Sequence, residues 1–127
     1  MPAAKRESIM NESVLREKAK HFAVRTLKLY EYLMLKKREY TVSKQIVRSG
    51  TAIGANVCEA QYAQSRADFI SKMHIALKEA GETEFWLEVL RDSGYINAKL
   101  AGSLIEDCGE IVSILVSTLN TSKQNNQ

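Results

Sequence analysis

Apolar and small residues recur at helical spacing in the segment VSKQIVRSGTAIGANVCEAQ (residues 42–61). One face of this stretch is formed by Val42, Ile46, Gly50, Ile53, Val57 and Ala60. Residues three or four apart lie on the same side of an α-helix, so the spacing predicts an amphipathic helix. We expect this helix to be capped by Thr41, whose side-chain oxygen can accept a free amide hydrogen of the first turn, and to end near Gln61.

The same period on both sides of this stretch predicts three more helices, over about residues 14–38, 66–92 and 98–119. The core face of the first is Leu15, Ala19, Phe22, Thr26, Leu29, Tyr30 and Leu33. That of the third is Phe69, Met73, Ala76, Leu77, Ala80, Leu87 and Leu90. That of the last is Leu100, Leu104, Cys108, Ile111, Leu115 and Leu119. Between these segments the chain has no pattern typical of a strand.

Helix signals and the lack of any linker predict how the segments are arranged. Ser65 followed by Asp68 is similar to a capping box, Gly94 is well placed to end the third helix, and Asn97 can cap the fourth. Short connections between long amphipathic helices favour antiparallel neighbours. We therefore expect an all-α, up-down antiparallel four-helix bundle.

The bundle should form a single domain over residues 1–127, because the only proline is Pro2 and no Gly- or Ser-rich linker divides the chain. The ends, residues 1–11 and 121–127, are polar and aperiodic, so we expect loose tails there.

Composition also indicates the compartment. Residues 1–14 lack the apolar run of a secretory signal, and the most apolar segment, 111–119, is too short to span a bilayer. Cys58 and Cys108 lie among apolar neighbours in helical patterns, which favours buried thiols in a reducing cytosol over a disulfide. We expect a cytoplasmic protein that does not enter a membrane.

Gly50 and Gly54 lie inside the second helix, where each glycine costs about 1 kcal/mol relative to alanine. Their four-residue spacing leaves a shallow face on which another helix can pack closely, so we interpret them as helix-packing residues. The natural partner is the third helix, which carries small residues: Ala76, Ala80 and Gly81. The alternative is a helix broken at Ser49–Gly50.

The third helix carries a second stripe, formed by Ile75, Glu79, Glu82, Trp86 and Val89. A helix on the outside of an isolated bundle should present a polar back to solvent, so this partly apolar stripe predicts a subunit contact. If the two glutamates are buried there, they need cationic or hydrogen-bonding partners, from this chain or a neighbour. The candidates are Arg48, Lys78 and Asn56. A mostly solvated face is the alternative.

The sequence offers no catalytic, metal or cofactor site. Di-iron bundles use a Glu-x-x-His pair on each of two helices, whereas the residue three before His21 is a lysine and the one before His74 is a serine. Glu79 and Glu82 have no accompanying nucleophile or third group, so ion pairing is the better interpretation of this carboxylate pair. We expect a protein that is not an enzyme.

Charge is divided unevenly along the chain. Residues 1–48 carry 12 Lys and Arg against 5 Glu, a net charge of +7, whereas residues 49–127 have a net charge of −4. Five cations fall within 13 residues around the first interhelical turn, with Glu39 as their only acidic neighbour: Lys36, Lys37, Arg38, Lys44 and Arg48. This density predicts a surface for phosphate groups, and a solvated basic face is the alternative.

The chain resembles a family of small bacterial four-helix bundle proteins, on the motif of residues 43–60 and 68–88. The family includes proteins encoded in intervening sequences of ribosomal RNA genes and is similar to the accessory protein of diversity-generating retroelements. The resemblance implies a cyclic homopentamer with no assigned enzymatic activity, and partners such as nucleic acid and a reverse transcriptase. The motif residues are Gly50, Gly54, Asn56, Glu59, Lys78, Glu79, Glu82, Thr83 and Trp86.

Our leading hypothesis is therefore an oligomeric accessory protein that binds RNA, or a nucleic-acid enzyme such as a reverse transcriptase, through the basic surface. The alternative is a protein-interaction scaffold without affinity for nucleic acid, in which basic and acidic halves pair between subunits.

Overall fold

The computed structural model describes residues 2–125, except the side chains of residues 4, 5, 7–9 and 123–125. Within that range it contains four α-helices and no strand: α1 (Ala3–Leu35), α2 (Val42–Gln61), α3 (Arg66–Asp92) and α4 (Ala98–Asn125). Each helix packs against the next, and α4 returns to α1. The predicted all-α four-helix bundle is confirmed.

The outer ends of α1 and α4 differ from the prediction. Residues 3–13, mostly assigned to a loose tail, are the first turns of α1, and α4 continues past residue 119 to Asn125. Apolar periodicity misses the last turns of α4 because the residue buried there is Ser122, whose carbonyl also accepts a hydrogen bond from Arg66 (3.3 Å). Residues 1, 126 and 127 of the predicted tails lie outside the described residues.

α1 also ends earlier than predicted, at Leu35 rather than residue 38. The signals at Ser65, Asn97 and Gly94 follow the prediction. Ser65 accepts a hydrogen bond from the backbone N–H of Asp68 (3.0 Å), and Asn97 accepts one from that of Leu100 (2.8 Å). Gly94 has φ 82°, in the left-handed region that glycine adopts without steric penalty, so it ends α3 as expected.

The core runs along the bundle axis and receives apolar side chains from all four helices. The largest fully buried ones are Leu15, Phe22, Leu33, Ile46, Ile53, Val57, Met73, Leu87, Leu90, Leu104, Ile111 and Leu115. Cys108 is also buried, and burial raises the pKa of its thiol to about 12, which leaves it uncharged at neutral pH. Cys58 is only half-buried, and both cysteines are free thiols.

The glycines of α2 pack against α1 and not against α3, so the predicted partner was wrong. A Cβ atom built on Gly50 would lie 2.5 Å from Cγ2 of Thr26, whereas one built on Gly54 would lie 3.5 Å from the carbonyl oxygen of Ala19. α3 instead contacts the other side of α2, where the Thr83 hydroxyl bonds to that of Ser49 (2.8 Å). α2 is continuous through residues 42–61, which excludes the broken helix.

We predict that Gly50→Ala destabilises the bundle by about 1–3 kcal/mol, because the new methyl group overlaps Thr26, a stiff β-branched side chain that is fully buried. Thermal or urea unfolding measures the change. The matched control is Gly54→Ala, whose methyl group fits at ordinary contact distance and adds helix propensity, so its stability should be unchanged or higher.

Thr26→Ser in the Gly50→Ala background removes the overlapping Cγ2 atom and should recover most of the loss. If Gly50→Ala is as stable as wild type, α1 and α2 are not in close contact at Gly50.

Candidate nucleic-acid interface

The turn between α1 and α2 presents three consecutive cations, Lys36, Lys37 and Arg38, all exposed. Arg38 has φ 51°, a left-handed conformation that is uncommon for a residue with a side chain. This conformation reverses the chain, so that the N–H of the next residue, Glu39, reaches the carbonyl of Leu33 (2.9 Å). The turn is thus short and tied back to α1, and its cations are held on a defined backbone.

Glu39 is buried, only 8% exposed, and its carboxylate caps α2. It accepts hydrogen bonds from the backbone N–H groups of Thr41 (2.9 Å), Val42 (3.0 Å) and Ser43 (2.7 Å). Three of the free amides of the first turn are thereby satisfied, and the negative charge lies at the positive end of the helix dipole. Thr41 occupies the N-cap position, as predicted, but its side chain forms no capping hydrogen bond, and the Glu39 carboxylate takes that role instead.

The environment of Glu39 shifts its pKa. Burial alone would raise the pKa of this carboxyl group, but the hydrogen bonds from Ser43, Val42 and Thr41 outweigh it and hold the pKa below its ordinary value. At neutral pH the group is therefore ionised and directed onto α2. The only acidic residue among the cations of the turn is consequently unavailable to neutralise them.

The five cations of the predicted patch fall into two groups. Lys36, Arg38 and Lys44 are exposed and form no ion pair with a described side chain, and Lys37 lies over the ring of Tyr32, with its Nζ 5.9 Å from the ring centroid. We call the four cations Lys36, Lys37, Arg38 and Lys44 the basic turn. Arg48 is different, because its guanidinium group is engaged with two carboxylates of α3.

Arg48 bridges α2 and α3 within one chain. Its Nη1 donates to the carboxylate of Glu79 (3.2 Å), and its Nη2 donates to that of Glu82, which also accepts from the indole N–H of Trp86 (3.0 Å). The hydrogen bonds from Trp86 and then Arg48 lower the pKa of Glu82. The Arg48 side chain is half exposed, so the network orients the two helices at the surface without contributing much to stability. Of the three candidate partners, Asn56 donates instead to the carbonyl of Ala52 (2.8 Å).

Two residues of the stripe predicted as a subunit contact, Glu79 and Glu82, therefore face Arg48 of α2. Glu79, Glu82, Trp86 and Val89 are half-buried in the isolated chain, and Ile75 is 36% exposed. The most exposed large apolar residue of α3 is one that the stripe omits, Phe85, which is 54% exposed. Phe85 is adjacent to Trp86 in sequence, so it lies on a different side of the helix and outside the stripe. A helical pattern alone does not show which side of α3 is covered by α2.

Neither a metal site nor a membrane span is found in the described part of the chain. No group of three or more His, Cys, Asp or Glu side chains there could hold a metal ion. None of the helices there has the length and the apolar character needed to cross a membrane.

Comparison with known proteins gives the family. The model of a family described as "23S rRNA-intervening sequence protein" matches residues 11–117. The chain belongs to this family. A solved structure, described as a protein with unknown function from the S23 ribosomal protein family of Bacteroides thetaiotaomicron VPI-5482, is 49% identical with a TM-score of 0.86. The match covers 87% of this chain and 98% of that one. No curated protein matches the chain.

We predict that Glu39→Gln lowers the free energy of unfolding at pH 7 by about 1–2 kcal/mol, because a neutral amide caps the helix less well than a carboxylate. The native pKa of Glu39 is depressed, so its stabilisation is complete above the ordinary carboxyl value of 4.5 and is lost as pH falls through the native pKa. The difference in stability between the two proteins should thus shrink as pH falls below 4.5.

Urea unfolding across pH 3–7 measures this convergence, with Glu31→Gln, an exposed carboxylate on α1, as the control. A constant difference between wild type and Glu39→Gln over that range would show that the charge of Glu39 does not cap α2.

Proposed function

We propose that this chain is a non-enzymatic, cytoplasmic accessory protein that assembles as a cyclic homo-oligomer and binds RNA through the basic turn, Lys36, Lys37, Arg38 and Lys44. The observation that carries the proposal is the orientation of Glu39, whose carboxylate is used by α2. Neighbouring cations without ion-pair partners repel one another and do not stabilise the turn. Binding of phosphate groups, by contrast, requires cations whose charges are free.

Binding by this surface should be electrostatic and weakly selective. The basic turn offers point charges for phosphates, and two exposed tyrosines, Tyr32 and Tyr40, lie near it in sequence. Stacking of bases on tyrosine would add affinity without base preference. Arg48 leaves the predicted patch in this proposal, because two glutamates already occupy its donors. The family description makes fragments of 23S ribosomal RNA the first ligands to test.

Assembly supports the same function. The resemblance to retroelement accessory proteins implies a pentamer, and exposed apolar residues on α3, Ile75 and Phe85, are suited to a subunit contact. A ring would repeat the basic turn by symmetry, so that weak contacts along one RNA add up. The same surface could also receive an acidic region of a nucleic-acid enzyme such as a reverse transcriptase.

The second candidate is a protein-interaction scaffold without affinity for nucleic acid. It is favoured by one observation, an apolar groove between α1 and α4 that the bundle leaves open. Failure of the wild-type chain to bind RNA at low salt would favour this candidate over the first.

We predict that Lys36→Glu/Lys37→Glu/Arg38→Glu weakens binding of a labelled single-stranded RNA at least tenfold in 50 mM salt. If the basic turn contacts about four phosphates, wild-type affinity should also fall about 50-fold between 50 and 200 mM salt. Fluorescence anisotropy measures both effects. The matched control, Arg6→Glu/Lys20→Glu/Lys78→Glu, changes net charge equally at exposed sites elsewhere and should bind nearly as wild type.

Arg48→Gln gives an independent check, since an arginine already held by two carboxylates should affect RNA affinity little. A tenfold loss for Arg48→Gln would return this residue to the interface. Equal affinity for wild type and the basic-turn variant, or no binding by wild type at 50 mM salt, would contradict the RNA-binding proposal.

A further inference from the structure

An apolar groove of about 350 Å³ lies open between α1 and α4. Its lining is Val24, Arg25, Lys28, Leu29, Tyr32, Leu100 and Leu104. The two cations in this set are not equivalent. Arg25 donates to the carboxylate of Asp107 (2.7 Å), whereas Lys28 is exposed and forms no ion pair with any side chain that the structure describes. The groove thus combines an apolar floor with one free positive charge at its edge.

Phe85 is a matching projection on α3. Phe85 is 54% exposed, and its ring packs edge-to-face against that of Trp86, with 5.1 Å between the ring centroids. One helical turn before it lies Gly81, and a Cβ atom built there would have nothing within 4 Å, so the surface beside the ring is open. Glu84 and Glu88 flank Phe85 and form no ion pair with a described side chain. The projection therefore combines an apolar tip with negative charge.

The groove and Phe85 lie at the same height along the bundle. Thr26, in the part of α1 that lines the groove, packs against Gly50. The preceding residue, Ser49, bonds to Thr83, which is two residues from Phe85. At 1.5 Å per residue these steps keep the groove and the aromatic ring within about one helical turn of the same level. Two parallel copies could therefore join without a shift along their axes.

We propose that the groove of one subunit receives Phe85 of a second copy of this chain, with Lys28 of the first facing Glu84 and Glu88 of the second. The contact joins different surfaces of the two copies and needs no axial shift, which is a condition for repetition by rotation to close a ring instead of extending as a filament. This inference rests on the self-association in the proposed function and adds the residues that form the contact.

A second copy fits the groove better than a small ligand does. Small-molecule sites enclose most of the ligand surface, whereas this groove is an open trough on the side of the bundle. An apolar cavity of about 150 Å³ can hold benzene, so about 350 Å³ accommodates a phenylalanine ring with space for its neighbours. The charges on the two surfaces are opposite, in keeping with the +7 of residues 1–48 and the −4 of residues 49–127.

The first experiment removes the projection. Light scattering on the full chain should show an oligomer for wild type and a monomer for Phe85→Ser, while circular dichroism should show the same helix content for both. Tyr62→Ser is the matched control, because Tyr62 is an aromatic residue still more exposed than Phe85 and lies at the end of α2. This control should keep the wild-type mass.

The second experiment tests the charge pair. Lys28→Glu and Glu88→Lys should each weaken association about tenfold, because each places like charges opposite one another. The double variant restores an opposite-charge pair between positions 28 and 88, while Glu84 still faces position 28, so it should associate more tightly than either single variant and recover about half of the lost binding free energy, to within about threefold of wild type. Failure of the double variant to recover would overturn the assignment of Lys28 to this contact.

The third experiment tests the head-to-tail arrangement. Val24→Glu blocks the groove and Phe85→Ser removes the projection, so each variant alone should be monomeric. An equal mixture retains one intact groove and one intact projection and should form a two-chain species that grows no further.

The failures are distinguishable. A monomeric wild type at about 100 µM would overturn self-association itself, while RNA binding by the basic turn would be judged by its own titration. An oligomeric wild type whose mass is unchanged by Phe85→Ser would overturn the groove contact and leave assembly through another surface.

Discussion

The arrangement of the bundle depends on the close contact between α1 and α2 at Gly50. Thr26 fits there only because Gly50 has no side chain, and this contact sets the axial register of α2 relative to α1. The two preceding residues then act on α3. Ser49 meets Thr83 in the interior, and Arg48 reaches the glutamates of α3 at the surface. Three consecutive residues thus set α2 against both of its neighbours, and the positions of the basic turn and of Phe85 follow from that register.

The four helices and most of their ends could be predicted because they depend on local chemistry. Ser65, Gly94 and Asn97 act within one turn of their own position, so sequence alone identifies their roles. The cap of α2 could not be assigned in this way. Thr41 is the ordinary capping residue, but the left-handed conformation of Arg38 brings a carboxylate from two residues earlier onto the same amides. Such a cap depends on the path of the turn, which periodicity does not describe.

The candidate site was predictable as a set of charges but not as a set of pairings. A count of charges groups Arg48 with the unpaired lysines and treats Glu39 as a residue that neutralises them. In the structure Arg48 is ion-paired with two glutamates, and the Glu39 carboxylate caps α2. Both differences arise from contacts with other segments, α3 in one case and the first turn of α2 in the other. Phe85 was missed for a related reason, since a helical stripe shows which residues share a face but not which face a neighbouring helix covers.

The basic turn and the groove are connected through α1, because this helix lines the groove and ends at the basic turn. Residues 24–32 form the wall of the groove, and Lys36 follows the last turn of the same helix. A ring formed through the groove would keep the bundles parallel, so the basic turns of all subunits would lie at one end of the ring. Repulsion among these cations would then oppose assembly in the absence of a polyanion and be relieved by one. In such a ring, RNA binding and assembly would strengthen each other, because each phosphate contact would offset a repulsion that assembly creates.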